Sequence, residues 1–312
     1  MQTWLVGVGP MAQEYCKVLN ALNVRTEVIS RSEASAASFL KATGHSAYEK
    51  GVTAALEKFG APDRVIAAVS VEALAQVSTQ LIKAGTRRIL LEKPGALDRT
   101  EIQRLNEVAN DYGATVLLGY NRRFHAATLR AKQLIELDGG PTSCSFEFTE
   151  WAHTITPLSL DKRVKQHWVM ANSSHVMDLA FYLCGRPGEW NNYCGGQLDW
   201  HRSASRFCGA GITERGILFN YLADWEAPGR WGVEVMTRKN RFIFRPLEKL
   251  QVMALASVKT EWVDIDYTLD ERFKPGLYCQ TEAFLNKVDA DFCTLAEQTS
   301  NFDTYYRMAG YQ

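Results

Sequence analysis

Thr3-Trp4-Leu5-Val6-Gly7-Val8-Gly9-Pro10-Met11-Ala12 opens the chain with an apolar run that turns at once into a glycine-rich bend. The run reads as a strand, and Met11–Leu22, with apolar residues at helical spacing, reads as a helix. Between them lies a GxGxxA pattern. Gly7 permits the tight turn, Gly9 lets the backbone approach a pyrophosphate, and the small Ala12 lets helix and strand pack closely. The helix start offers unpaired N–H groups and the positive end of its dipole to phosphate. A plain tight turn is the competing reading. The place of the motif inside a strand–turn–helix unit favours a dinucleotide fingerprint made of Gly7, Gly9, Pro10, Met11 and Ala12.

Outward from this unit the alternation continues. Val24–Ser30 is strand-like, Glu33–Thr43 helical, Val65–Val69 a fully apolar strand, Ala73–Ala84 helical, Arg88–Leu91 a strand, Arg99–Tyr112 helical and Thr115–Leu118 a strand. Alternating β and α segments predict parallel strands with helical crossovers, hence a doubly wound α/β sheet of Rossmann type over residues 1–120. After Gly119 the pattern changes. Ala126–Leu137 and Ser174–Cys184 read as helices. Strand-like stretches follow at Thr142–Glu150, Ser205–Ala210, Gly216–Ala223, Trp231–Thr237, Arg241–Arg245 and Trp262–Tyr267, with a turn at Arg238-Lys239-Asn240 and a helical end from Tyr278. Residues 121–312 are therefore expected to form an α+β substrate and oligomerisation domain around a largely antiparallel, open-faced sheet.

Composition narrows the function classes. Lys plus Arg and Asp plus Glu both number 35 in 312 residues, so the basic excess of a nucleic-acid binder is absent. No apolar run reaches the roughly 18 residues of a membrane helix. The N-terminus lacks the basic start of a signal peptide, which gives a cytoplasmic expectation. The 7 cysteines are scattered without a CxxC pair, so neither a metal site nor a disulfide framework is expected.

Cofactor choice is read at the tip of the second strand. An NAD enzyme usually places an acid there for the ribose 2′-hydroxyl. Here Ser30-Arg31-Ser32 follows Ile29, and Arg31 with two hydroxyls suits a 2′-phosphate. NADP(H) is expected over NAD(H).

Three segments together, GVGPMA at 7–12, Glu92-Lys93-Pro94 and Gly119-Tyr120-Asn121-Arg122-Arg123-Phe124, resemble the glucose–fructose oxidoreductase, inositol dehydrogenase and MocA family. The resemblance implies an oxidoreductase moving hydride between nicotinamide and a CH–OH or C=O group of a sugar, polyol or sugar-derived substrate, acidic or nucleotide-linked ones included. It implies that Lys93, at the carboxyl end of a parallel strand, is catalytic, with Glu92, Pro94 and Ser70 beside the cofactor. It implies a second catalytic group at His175, in Asn172-Ser173-Ser174-His175-Val176-Met177-Asp178. In the first helical turn such a histidine would feel the dipole, which disfavours its protonated form. Tyr120, Arg123, Trp168, Asn172 and Asp178 are the expected substrate contacts. Lys162, Arg163, Lys165, His167, Trp151 and His153 are weaker candidates, more simply read as a solvated loop with buried aromatics.

One position departs from the family pattern. Where many members carry an Asp four residues before the histidine, this chain has Ala171. Asn172 cannot relay a proton. Two alternatives stay open: a catalytically impaired dinucleotide-binding sensor, and a reductase of a conjugated, non-sugar substrate. A homo-oligomer, dimer or tetramer, is expected through the second domain's sheet, because GILFNYLA at 216–223 is apolar on both faces.

Overall fold

The computed structural model describes residues 1–311. In chain order the elements are β1 (Thr3–Val6), α1 (Pro10–Ala21), β2 (Thr26–Ile29), α2 (Glu33–Thr43), α3 (Gly51–Phe59), β3 (Arg64–Ala67), α4 (Leu74–Ala84), β4 (Arg88–Leu91), α5 (Arg99–Asp111) and β5 (Thr115–Leu118). Then follow α6 (Ala126–Leu137), β6 (Ser143–Glu147), α7 (Ala152–Ile155), α8 (Lys162–Gln166), a π-helical turn (Val169–Ser173), α9 (Ser174–Cys184) and β7 (Pro187–Gly195). The chain continues through β8 (Arg206–Thr213), β9 (Leu218–Asp224), β10 (Gly232–Met236), β11 (Asn240–Phe244), β12 (Gln251–Ala254) and β13 (Glu261–Trp262). It ends with α10 (Thr268–Arg272), α11 (Leu277–Asn286), β14 (Cys293–Thr294) and α12 (Leu295–Met308). Among the described residues, no helix is long and apolar enough to cross a membrane.

Two compact units result. The first joins Met1–Asn121 to Leu269–Asn301; the second joins Arg122–Thr268 to the stretch from Phe302 onward. In the first unit six strands run in the order β14-β5-β4-β3-β1-β2. β1 to β5 are parallel, and β14 adds an antiparallel edge through Cys293↔Leu118 and Thr294↔Leu117. Leu5, Val65, Ile66, Ile89, Leu90 and Leu91 are fully buried, as strands covered on both faces require. The division expected after residue 120 is thus corrected at the far end of the chain. Residues 269–301 return to the first unit, where the Arg64 guanidinium donates to the Leu285 carbonyl (3.0 Å) and Arg88 grips both the Phe284 carbonyl (2.9 Å) and Asp289 (3.0 Å).

The second unit is built on eight strands in the order β13-β12-β11-β10-β6-β9-β8-β7, antiparallel except for the β6–β9 pair. α9 is buried along almost its whole surface and lies against β6 and β10. Phe146 of β6 meets Phe181 of α9 edge-on at 5.4 Å, and Phe181 meets Phe219 of β9 at 5.4 Å. Alternation along β9 buries Phe219, Tyr221 and Ala223 on this side and turns Leu218 and Leu222 outward, 62% and 59% exposed.

Candidate functional site

In the first unit the fingerprint bend has two different glycines. Gly7 sits at φ +114°, and a Cβ there would lie 2.2 Å from the Ala68 carbonyl oxygen at the end of β3. The backbone of β1 therefore crosses β3 where no side chain fits. Gly9, the residue before α1, has ordinary dihedrals, and a Cβ on it would meet nothing within 4 Å. Its smallness answers no need of the protein's own packing. Pro10 opens α1, no side chain caps the helix, no acid stands in its first turn, and Ala12 is buried against the sheet. Open space, uncapped N–H groups and an absence of negative charge together fit a dinucleotide pyrophosphate.

The tip of β2 shapes its own loop. The Ser30 hydroxyl donates to the Ser32 carbonyl (3.0 Å), and the Ser32 hydroxyl caps α2 by accepting from the Ser35 N–H (3.4 Å). Both hydroxyls are engaged within the loop, which leaves Arg31 as the group at this tip that is turned outward without a partner among the described residues. Arg31 is exposed and makes no hydrogen bond or ion pair among the described residues. Ser70 is exposed beyond β3, at the start of a short 3-10 turn.

At the end of β4, Glu92 is buried and accepts a hydrogen bond from the Tyr15 hydroxyl of α1 (2.7 Å). Burial raises the Glu92 carboxyl above its usual range, against the pull of the Tyr15 bond and the Lys93 charge. Lys93 is half-buried, and the Lys93–Pro94 bond is cis. The Pro94 carbonyl accepts from Gln298 Nε2 (3.0 Å), and Gln298 is bonded in turn to the buried Tyr120 hydroxyl (3.0 Å). Tyr120, expected at the substrate, instead supports the turn that carries Lys93. Its partner Gln298 comes from the returning segment, so sequence distance concealed the contact.

In the second unit, Arg123 and Asp178 also depart from their expected role. They form a buried bidentate ion pair (2.9 and 2.6 Å), each satisfying the other, so they hold α9 to the turn before α6. His175 lies in the first turn of α9, yet that helix runs on directly from the π-helical turn at Val169–Ser173. The positive end of the dipole therefore lies upstream of His175, which removes the electrostatic argument made from its position.

The π turn is held at both ends. The Tyr311 hydroxyl accepts from the Val169 N–H (3.3 Å) and bonds His201 Nε2 (2.8 Å). At the other end Glu150 Oε1 accepts from Asn172 Nδ2 (2.9 Å) and the Ser173 hydroxyl (2.7 Å). Glu150, just beyond β6, is 2% exposed, and burial raises its carboxyl above the usual range against the pull of Ser173, Arg230 and Asn172. A buried acid thus stands beside Asn172, next to the Ala171 that lacks one. Sequence reasoning missed it; an acid closing the alternating strand Thr142–Glu150 was the available signal. π turns are frequent at functional sites, and His175 follows this one by two residues.

The Trp231 indole lies 6.1 Å from the His175 ring, with the Arg122 guanidinium 4.8 Å and the Arg230 guanidinium 4.6 Å from its centre. Trp168 is half-buried at 6.2 Å from Trp200, and its indole N–H has no hydrogen-bond partner among the described residues. The weaker candidates separate. Lys165 donates to the Thr156 carbonyl (2.8 Å), Lys162 is exposed, and exposed His153 stacks on Trp151 at 6.5 Å. His167 is buried, with Nδ1 on the Arg163 carbonyl (2.9 Å) and Nε2 facing Arg202 (2.7 Å). Burial also presses His201 down to about 4, so that histidine stays neutral in the core.

Residues 1–120 match the oxidoreductase family with an NAD-binding Rossmann fold. The curated proteins contain no match. Solved structures share the fold over the whole chain. UDP-N-acetylglucosamine 3-dehydrogenase GnnA from Acidithiobacillus ferrooxidans is 20% identical, with 100% of this chain and 97% of that one covered at a TM-score of 0.77. A levoglucosan dehydrogenase in complex with NADH and L-sorbose is 16% identical, covering 100% and 96% at 0.79. The WlbA dehydrogenase from Bordetella pertussis, in complex with NADH and UDP-GlcNAcA, is 14% identical, covering 100% and 96% at 0.75. Residues 1–120, with their fingerprint bend and the Lys93 turn, match the Gfo/Idh/MocA oxidoreductase family model and carry an NAD-binding Rossmann fold.

Proposed function

We propose that the chain is an NADP(H)-preferring oxidoreductase acting on a CH–OH or C=O carbon of a sugar, polyol or sugar-derived molecule. The observation that carries the reading is Lys93, set at the carboxyl end of a parallel strand on a turn braced by Tyr15, Glu92, Tyr120 and Gln298. The dinucleotide, when bound, supplies the hydride donor or acceptor. The bend from Gly7 to Ala12 holds its pyrophosphate. Lys93 donates hydrogen bonds to the reacting oxygen, and His175 shares the proton transfer with it. The solved relatives named above act on, or hold, sugars and nucleotide-sugars, which supports the same substrate class here. Glu150 weakens the reading as an impaired sensor, since it provides an acid where Ala171 does not. Turnover followed at the nicotinamide absorbance, with a panel of sugars, sugar acids and nucleotide-sugars, tests the assignment; dinucleotide binding without turnover on any of them would favour the sensor.

The NADP preference rests on Arg31, because the adjacent hydroxyls are committed elsewhere. Arg31→Ala is expected to weaken NADPH binding about tenfold and leave NADH binding nearly unchanged, as for the loss of one exposed charge-assisted contact to phosphate. Fluorescence titration of both cofactors checks this. Equal losses, or a native preference for NADH, would refute it.

The outer face of the second unit's sheet suits pairing with a second copy, since Leu218, Leu222, Tyr193 and Ile212 are exposed together on neighbouring strands. Sedimentation at micromolar concentration should give a dimer or a tetramer, and Leu222→Glu should shift it toward monomer. A wild-type monomer would contradict the proposal.

A further inference from the structure

The surroundings of Arg230 differ from those of an ordinary surface arginine. Its guanidinium lies over two indoles, 4.9 Å from the centre of Trp151 and 4.6 Å from that of Trp231. Nη1 donates to Oε2 of the buried Glu150 (3.3 Å). The loop beneath is fixed as well, because the Trp151 indole N–H donates to the Gly229 carbonyl (2.8 Å). Among the described residues the Nε–Nη2 edge makes no hydrogen bond, and the side chain is 47% exposed. Trp231, the ring that Arg230 covers, stands 6.1 Å from His175.

We propose that Arg230 is the substrate-anchoring cation of this site, its free Nε–Nη2 edge taking an oxyanion, carboxylate or phosphate, carried by the molecule that reacts beside His175. This narrows the substrate class within the oxidoreductase reading and rests on it. A flexible arginine loses side-chain entropy when it captures an anion. Here two aromatic faces and a buried carboxylate have already fixed the planar fork, so little is left to lose. The fork matches a carboxylate or phosphate through two parallel N–H···O bonds and offers a neutral hydroxyl far less. Glu150 has a positioning role: one oxygen orients Arg230 while the other holds the turn that leads into His175.

The test titrates the full chain, with and without NADPH, against D-glucose, D-glucuronate and D-glucose 6-phosphate by ligand-observed nuclear magnetic resonance. Wild type, Arg230→Met and Arg230→Lys are compared. At least one anion is expected to bind about tenfold or more tighter than glucose to the wild type. Arg230→Met should erase that advantage, bringing the anions down to the affinity of glucose for the same variant, and Arg230→Lys, which keeps the charge but loses the fork, should retain only part of it. Preference for glucuronate identifies a carboxylate, and preference for the 6-phosphate a phosphate. Anions binding no better than glucose, or an advantage that survives in Arg230→Met, would overturn the proposal. Should Arg230→Met fail to fold by circular dichroism, an undiminished advantage in Arg230→Lys would overturn it. Loss of NADPH binding in the wild type alongside an intact anion preference would remove the oxidoreductase reading and leave the Arg230 site standing.

Discussion

Gly7→Ala is expected to cost the fold about 4 kcal/mol, whereas Gly9→Val should leave stability nearly unchanged and abolish most dinucleotide binding. The two glycines lie in one bend and face opposite demands. At Gly7 the backbone holds φ +114°, and an added Cβ would lie 2.2 Å from the Ala68 carbonyl oxygen. Positive φ and a backbone clash both oppose it, and neither β1 nor β3 can retreat without breaking the pairing of Val6 with Ala67. At Gly9 the backbone suits a branched side chain and nothing lies within 4 Å of its Cβ. A valine there fills the space before the start of α1 that a pyrophosphate requires. Urea unfolding separates the first effect and NADPH titration the second. A Gly9→Val protein that binds NADPH normally would show that the dinucleotide does not use this bend.

Lys93→Met should lower turnover about a hundredfold or more while leaving cofactor affinity close to wild type, the usual scale for a positioned proton-transfer group. Affinity is expected to survive because the pyrophosphate is assigned to the bend at residues 7–12 and not to Lys93. His175→Ala should lower turnover to a similar degree. The double variant should lose little beyond the worse single one, since residues acting on one proton are strongly non-additive. Multiplicative losses would mean that the two act in separate steps.

Much of the first unit was legible because its elements carry local signals. α2 is bounded by the capping Ser32 and by Gly44 in the left-handed region, and the helix ends at those marks. The strands β3, β4 and β5 each close on three successive buried apolar residues. α3 was not anticipated: it starts behind Lys50 with no capping side chain and Gly51 as its first residue. β7, Pro187–Gly195, was hidden by its glycines, asparagines and proline, which an edge strand tolerates. The strand expected at Trp262–Tyr267 shrinks to the pair Glu261–Trp262, because only those residues find partners on β12. The candidate residues of the two units show the same division. Gly7, Gly9 and Lys93 belong to contiguous motifs and could be named from them. Glu150, Ser173 and Arg230 meet only because β6, the π turn and the loop before β10 converge, and no local pattern links positions up to 80 residues apart. Arg123 and Asp178 looked like pocket residues for the same reason: their bond to each other spans 55 positions.

Hydride transfer to or from the nicotinamide tests the central claim most directly. Wild type and Lys93→Met are each incubated with NADPH or NADP, and with NADH or NAD, against sugars, sugar acids and nucleotide-sugars, with absorbance followed in both directions. At least one substrate should turn over in the wild type, faster with the phosphorylated cofactor, and the rate should fall about a hundredfold in Lys93→Met with cofactor affinity retained. Turnover of the same substrate at an unchanged rate in Lys93→Met would contradict the account.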